Sequence, residues 1–241
     1  MMLETTPISI IRKMIYLVNI VVILFFSFII SSTTTKIFDG FLAREFLERV
    51  QYLPIIPQKI AVLAMVYMLA LGASNILKGY LLKKKFFGVK FLLLVDFWLC
   101  FMIVYYMNFS YRGIVLLLMM NIITYAKEPH FRVWMLIFAL ISFILLDYDI
   151  WSNRLAMLSL TEYVDYNSEE VKIFMLVGKN LLTSINEIGF IGFLYVLLQN
   201  KINENVAISS LNTKLREQHL SLRLRICNLK ILPKPWKRMR K

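Results

Sequence analysis

The sequence predicts an all-α integral membrane protein, a polytopic bundle of about six transmembrane helices followed by a short cytoplasmic coiled-coil tail. Of its 241 residues, 59% are hydrophobic and only 18% are charged, and the mean hydropathy is +0.66. A soluble domain of this length carries more polar surface. The apolar residues also form continuous runs, whereas the strands of a membrane β-barrel alternate apolar and polar residues. These observations predict helices in a bilayer.

Six apolar runs fill most of residues 1–199, which we interpret as one sensor-like transmembrane domain. A helix crosses the hydrocarbon core with about 20 residues. The predicted spans cover approximately residues 15–30, 60–79, 91–107, 113–126, 133–146 and 173–198.

The first run follows Arg12 and Lys13, an order that secretory signal peptides also show. The run is longer than a typical signal core, and no clear A-x-A cleavage site follows it. We therefore interpret it as an uncleaved first span.

The fourth and fifth runs are short, and five spans is the alternative to six. Aromatic residues flank both runs and favour interfacial depth, which would lengthen each span. Two charges and a proline at Lys127-Glu128-Pro129 separate the runs. That composition indicates a turn reaching water and argues against a merged re-entrant pair.

The distribution of charge predicts the topology. Residues 201–241 carry eleven Lys and Arg against two Glu, so they supply +9 of the formal net charge of +13. Residues 147–171 carry six acidic residues against one Arg. Because cytoplasmic segments are enriched in Lys and Arg, both termini are predicted to be cytoplasmic. We expect the basic tail to contact anionic lipid of the inner leaflet, and we expect no nucleic acid partner.

Polar residues within the spans are candidates for intramembrane sensing or packing, since each is costly in lipid unless it faces protein or water. In the sixth span, four of them follow the spacing i, i+3, i+4, i+7, which places them on one helix face: Asn180, Thr183, Ser184 and Glu187. We expect a buried polar seam that either responds to a signal or only holds the bundle together. Asp96 in the third span is a further candidate, and an ion pair with Lys179 is one arrangement that would satisfy it.

No catalytic motif is present, so we expect no enzymatic activity and no cofactor. The sequence lacks G-x-x-x-x-G-K, H-E-x-x-H and G-x-S-x-G. Cys100 and Cys227 fit neither a disulfide framework nor a metal site.

Residues 200–227 are predicted to form a cytoplasmic signalling helix. Ile208, Leu211, Leu215 and Leu222 follow a heptad seam, and polar residues interrupt the seam between them and beyond. A short, weak homodimer through this helix is therefore expected. Residues 228–241 contain two prolines and are predicted to be a basic irregular tail.

The segment QNKINENVAISSLNTKLREQHLSLR, together with the multi-span layout, resembles the N-terminal sensor region and signalling helix of bacterial sensor histidine kinases. The local pattern is Leu211-Asn212-Thr213-Lys214-Leu215. The resemblance implies a two-component signalling role in the bacterial cell membrane, with an unknown extracellular or intramembrane signal. The family's phosphoacceptor box and ATP site are absent from the sequence, so we expect a truncated kinase. His219 precedes Leu220, although the phosphoacceptor histidine of the family normally precedes an acidic residue.

A small membrane transport or immunity protein with a basic cytoplasmic tail is the alternative. A transporter should be sensitive to substitution at Asp96 and Glu187 and indifferent to changes in the tail leucines. A sensor should dimerise through residues 200–225, and replacing Leu211, Leu215 and Leu222 with polar residues should abolish that dimer.

Overall fold

The computed structural model describes residues 6–39, 57–83, 88–146, 150–151 and 159–231. Within these ranges the chain is helical and contains no strand, which confirms the all-α prediction. The helices are α1 (Thr6–Asp39), α2 (Pro57–Lys83), α3 (Gly88–Tyr106), α4 (Ile114–Tyr125), α5 (Pro129–Leu145), α6 (Leu160–Asp165) and α7 (Glu169–Ile231).

Several of these helices are long and apolar enough to cross a membrane. Among the described residues four stretches qualify, and they lie in α1, α2, α3 and α7: Ile8–Ile37, Val62–Leu81, Gly88–Tyr106 and Glu169–Leu224. The apolar helices α4 and α5 are shorter, with 12 and 17 residues. At 1.5 Å per residue, α4 is only about 18 Å long, against a hydrocarbon core of about 30 Å. A membrane protein is therefore supported, and six full crossings stay a prediction.

Two helices extend well beyond the predicted spans. Helix α1 continues past residue 30 through a run of serines and threonines, whose hydroxyl groups bond back to the helix. Thr34 Oγ1 donates to the carbonyl of Ile30 at 2.6 Å, and Thr35 Oγ1 donates to that of Ser31 at 3.0 Å. Such bonds satisfy the hydroxyls without breaking the helix. Helix α7 includes the predicted span 173–198 and the predicted signalling helix without interruption, and ends at Ile231.

The short helix α4 lies in the centre of the bundle. Ten of its 12 residues are buried. It packs against α1, α2, α3 and α5. A helix that is apolar on every side is typical of a protein core as well as of a lipid-facing span. This double meaning explains why residues 113–126 were predicted as an ordinary crossing.

One end of the bundle is closed by α6, and we call it the Asn167 end. A capping box starts α6, because Ser159 Oγ accepts from the amide of Glu162 while Glu162 Oε2 accepts from that of Ser159. Asn167, just after α6, donates to Thr33 Oγ1 at 3.0 Å, so the segment is held against α1. Burial raises the pKa of Tyr163 to about 12.

The opposite end carries basic residues, and we call it the Arg12 end. The guanidinium of Arg12 lies 4.9 Å from the centre of the Tyr125 ring. Lys90 Nζ lies 2.6 Å from Glu128 Oε2, so the start of α3 meets the α4–α5 connection. Helix α7 follows Asn167 in sequence and therefore begins at the Asn167 end.

The chain divides by its internal contacts into two units, residues 1–193 and 194–241. The first unit contains the bundle and the buried part of α7. In the second unit, every side chain that the structure describes from Lys201 to Leu224 is exposed.

Two glycines of α7 differ in how closely their neighbours approach them. A Cβ atom added at Gly178 would lie 2.7 Å from the Cζ atom of Phe25 in α1, whereas one added at Gly192 would meet nothing within 4 Å. We therefore expect Gly178→Leu to lower the free energy of unfolding by about 1–3 kcal/mol, the usual cost of overpacking. Gly192→Leu makes the same chemical change on the same helix and should have little effect. Thermal unfolding of both variants in detergent measures the difference, and equal losses would contradict the packing described here.

Candidate functional site

A buried ion pair joins two helices of the bundle. Lys78 on α2 donates to Asp96 on α3, and both side chains are fully shielded from solvent. Ser74, one turn before Lys78 on α2, donates its hydroxyl to Asp96 Oδ1 at 2.5 Å. Asn121 of α4 approaches the other carboxylate oxygen, Oδ2, at 3.5 Å. Three helices therefore meet at one carboxylate, and we call this set the Asp96 site.

The surroundings of the Asp96 site are aromatic and basic. Lys78 Nζ lies 5.1 Å from the centre of the Tyr125 ring. Arg12 lies over the same ring, so two cations lie near one aromatic side chain. An isolated charge is very costly in a low-dielectric interior, so each of these two charges is tolerated in the bundle because the other neutralises it. The Asp96 site therefore ties α2, α3 and α4 together at the Arg12 end.

A second buried network joins α7 to the rest of the bundle. Asn19 of α1 donates to Asn186 Oδ1 of α7 at 2.8 Å, and Tyr111 donates its hydroxyl to Asn19 Oδ1 at 2.6 Å. Asn186 in turn donates to the carbonyl of Gly113 at 3.0 Å. The three side chains are all fully buried. We call this set the Asn19 network; it connects α1, α7 and the 107–113 connection.

Gly113 is required for the Asn19 network to close. A Cβ atom at this position would lie 2.6 Å from Tyr111 Cε2 and 2.7 Å from Asn186 Nδ2. The ring of Tyr111 is also fixed by an edge contact with Phe26, with centroids 5.4 Å apart. The backbone at Gly113 can lie this close to the side chains of Tyr111 and Asn186 because glycine has no side chain of its own.

The structure does not bring Asp96 and Lys179 together, so the predicted ion pair between them is wrong. Asp96 pairs with Lys78, and Lys179 donates instead to Thr161 Oγ1 of α6 at 3.0 Å. Lys179 therefore contacts the Asn167 end of the bundle. Asp96 belongs to the Arg12 end.

The four residues predicted as a polar seam share one face of α7, and that face is largely exposed. Asn180, Ser184 and Glu187 are exposed, and Thr183 is half-buried. Thr183 donates its hydroxyl to the backbone carbonyl of Lys179. The expected burial of the seam within a single chain is therefore not observed.

The candidate dimerisation residues are exposed as well. The exposed fractions of the four side chains lie between 53% and 58%: Ile208, Leu211, Leu215 and Leu222. An apolar stripe of this kind on a single helix has no core to join within the second unit. Its exposure fits a partner helix, and the dimer stays a prediction.

Sequence reasoning missed most of the buried polar residues. Lys78 lies at the end of an apolar run, where a lysine usually reaches the interface. Asn186 was passed over because it lies off the face that its polar neighbours define. Asn19 is a single amide in an apolar span, a signal that could have identified it as a helix–helix contact.

The chemistry of the two networks is that of helix packing by buried hydrogen bonds and one ion pair. Within the part of the chain that the structure describes, no group of three or more His, Cys, Asp or Glu could hold a metal ion. The networks consist of amides, hydroxyls and one ion pair, which can fix helix positions and exchange hydrogen-bond partners.

No protein-family model, curated protein or solved structure matches the chain.

Proposed function

We propose that this chain is a membrane-embedded signal-sensing module of the kind found in sensor histidine kinases. The bundle receives an extracellular or intramembrane signal, and α7 passes it to the cytoplasmic signalling helix, residues 200–227. One observation carries the proposal: α7 is a single helix from Glu169 to Ile231. The element that holds Asn186 in the Asn19 network is thus the element that carries the tail leucines.

The mechanism depends on the rotational position of α7. Asn186 is bonded on two sides, to Asn19 and to the carbonyl of Gly113, and these bonds fix one rotation of the helix. A signal that rearranges either partner would favour a different rotation. Because residues along a helix turn together, such a change would reorient the apolar stripe of the tail. The network would then bias a two-state element at a distance.

The proposed location is the bacterial cell membrane, with multiple crossings and both termini in the cytoplasm. The Arg12 end of the bundle would face the cytoplasm, since it carries basic residues and the N-terminal part of α1. The tail, with +9 of net charge, would lie against anionic lipid. Kinase chemistry is not part of the proposal.

The tail dimer is tested by substituting the heptad leucines. We expect replacing Leu211, Leu215 and Leu222 with glutamine to abolish dimer formation through residues 200–227, because these side chains belong to the heptad seam predicted there. Sedimentation in detergent or lipid nanodiscs measures the dimer fraction.

The matched control replaces Val206 and Leu220 with glutamine. These side chains are as exposed as the seam residues, at 64% and 61%, but each lies two positions before a seam residue. Equal loss of the dimer in both variants would show that the tails associate through their hydrophobicity in general, and it would contradict pairing along the predicted heptad seam.

The buried ion pair is the observation that favours the transport or immunity alternative, since an intramembrane charge often lies on an ion or proton path. Under that alternative, transport would fail on substitution at Asp96 and would be unaffected by the leucine variant.

A further inference from the structure

An exposed polar face lies in the middle of a membrane-spanning stretch of α7. Asn180, Ser184 and Glu187 are exposed, and within the described part of the chain none of them makes a hydrogen bond or an ion pair. Glu187 follows Ile173 by 14 residues and precedes Leu198 by 11, so it lies near the centre of the apolar run. In lipid, such groups are stable only when they face protein or water. No side chain in the described part of the chain covers this face, which leaves it open to a partner.

The register of the face points to its partner. Glu187 precedes Ile208 by 21 residues and Asn180 precedes it by 28, which are three and four whole heptads. Thr183 precedes Leu211 by 28 residues, also four heptads. In a left-handed supercoil, residues separated by whole heptads stay on one seam. The polar residues in the membrane and the leucines of the tail therefore occupy the same seam positions of α7.

Within the membrane stretch the neighbouring seam positions are apolar, and the charged residues Lys201 and Glu204 occupy seam positions between this stretch and the tail leucines. Ile173 and Leu194 lie one heptad before Asn180 and one heptad after Glu187, and both are exposed. Isolated polar residues within an apolar seam fix the register and the number of helices in a coiled coil. An amide has both donors and an acceptor, so two Asn180 side chains can bond to each other across a symmetric pair. A second copy of this chain supplies that symmetry, whereas an unrelated membrane protein would need a matching polar residue at the same depth.

We propose that two copies of this chain pair along α7 within the membrane, with Asn180, Thr183 and Glu187 on the seam between them. The inference rests on the proposed function, because it extends the tail dimer into the bilayer. The polar face is then an interface between copies, and rotation of α7 changes this interface and the tail together.

Disulfide cross-linking in native membranes tests the inference. Single cysteines replace Asn180 or Thr183 in the full chain carrying Cys100→Ala and Cys227→Ser. The controls are Leu181→Cys and Ile185→Cys, which are 59% and 41% exposed and lie on other faces of the same helix at similar depth. We expect the two seam cysteines to form cross-linked dimers at least fivefold faster than the two controls. Equal rates at all four positions, or cross-linking only to a different protein, would overturn the inference.

The same experiment separates this inference from the proposed function. If the leucine-to-glutamine tail variant loses its dimer while the cysteine at position 180 still cross-links, the membrane seam stands on its own. If the tail dimer forms and position 180 reacts no faster than position 181, the membrane seam is refuted and the tail dimer stands. If the chain with its leucines intact shows neither a tail dimer nor faster cross-linking at position 180, both the tail dimer and the membrane seam are refuted.

Discussion

Replacing Asp96 with leucine is expected to lower the free energy of unfolding by about 3–5 kcal/mol, the cost of leaving a buried charge without its partner. Lys78 is fully buried and has Asp96 as its carboxylate partner in the bundle. The substitution also removes the acceptor of Ser74. Unfolding by denaturant titration in lipid–detergent bicelles measures the loss.

The double variant Lys78→Met/Asp96→Leu is the decisive comparison. A buried ion pair can often be replaced by apolar residues of similar volume at little cost, so most of the lost stability should return. The matched surface pair is Lys90 and Glu128, whose side chains are 31% and 62% exposed. Lys90→Met should cost less than about 1 kcal/mol, because exposed ion pairs contribute little. If the double variant is as unstable as Asp96→Leu, the unpaired charge of Lys78 is not the cause of the stability that the single substitution loses.

Replacing Asn186 with leucine is the second large expected effect. The change removes the acceptor of Asn19 and the donor to the carbonyl of Gly113, and leaving buried polar groups unsatisfied costs about 1–3 kcal/mol each. Asn180→Leu removes an exposed amide from the same helix and should leave the stability of the bundle nearly unchanged.

A double-mutant cycle isolates the bond between the two amides. Asn19→Leu/Asn186→Leu should lose less than the two single variants added together, since each single variant strands the other partner. Strict additivity would show that Asn19 and Asn186 act independently, contrary to the network described above.

The helical fold was predictable because the signal for it is strong and local. Long apolar runs can satisfy their backbone groups in a bilayer only as helices, and α2 and α3 begin and end within a few residues of their predicted spans. The central position of α4 was not predictable, because an apolar run has the same composition whether lipid or protein surrounds it.

The polar sites were harder to predict because sequence spacing defines a helix face but not the direction in which it points. The spacing from Asn180 to Glu187 correctly places these residues on one face, yet the buried amide of α7 is Asn186, which lies off that face. The partner of Asp96 was missed for a related reason. Lys78 is on the preceding helix, and only the packing of α2 against α3 brings the two charges together.

The central claim, that α7 couples the bundle to the tail, is tested most directly by the distance between the tails of two copies. Spin labels on a cysteine replacing Asn212, in the background lacking Cys100 and Cys227, report this distance in lipid nanodiscs by pulsed electron resonance. We expect Asn186→Leu to shift the distance distribution, and Leu181→Ala, a change at an exposed side chain of the same helix, to leave it unchanged. An unchanged distribution in a folded Asn186→Leu protein, or the same shift in both variants, would contradict the coupling.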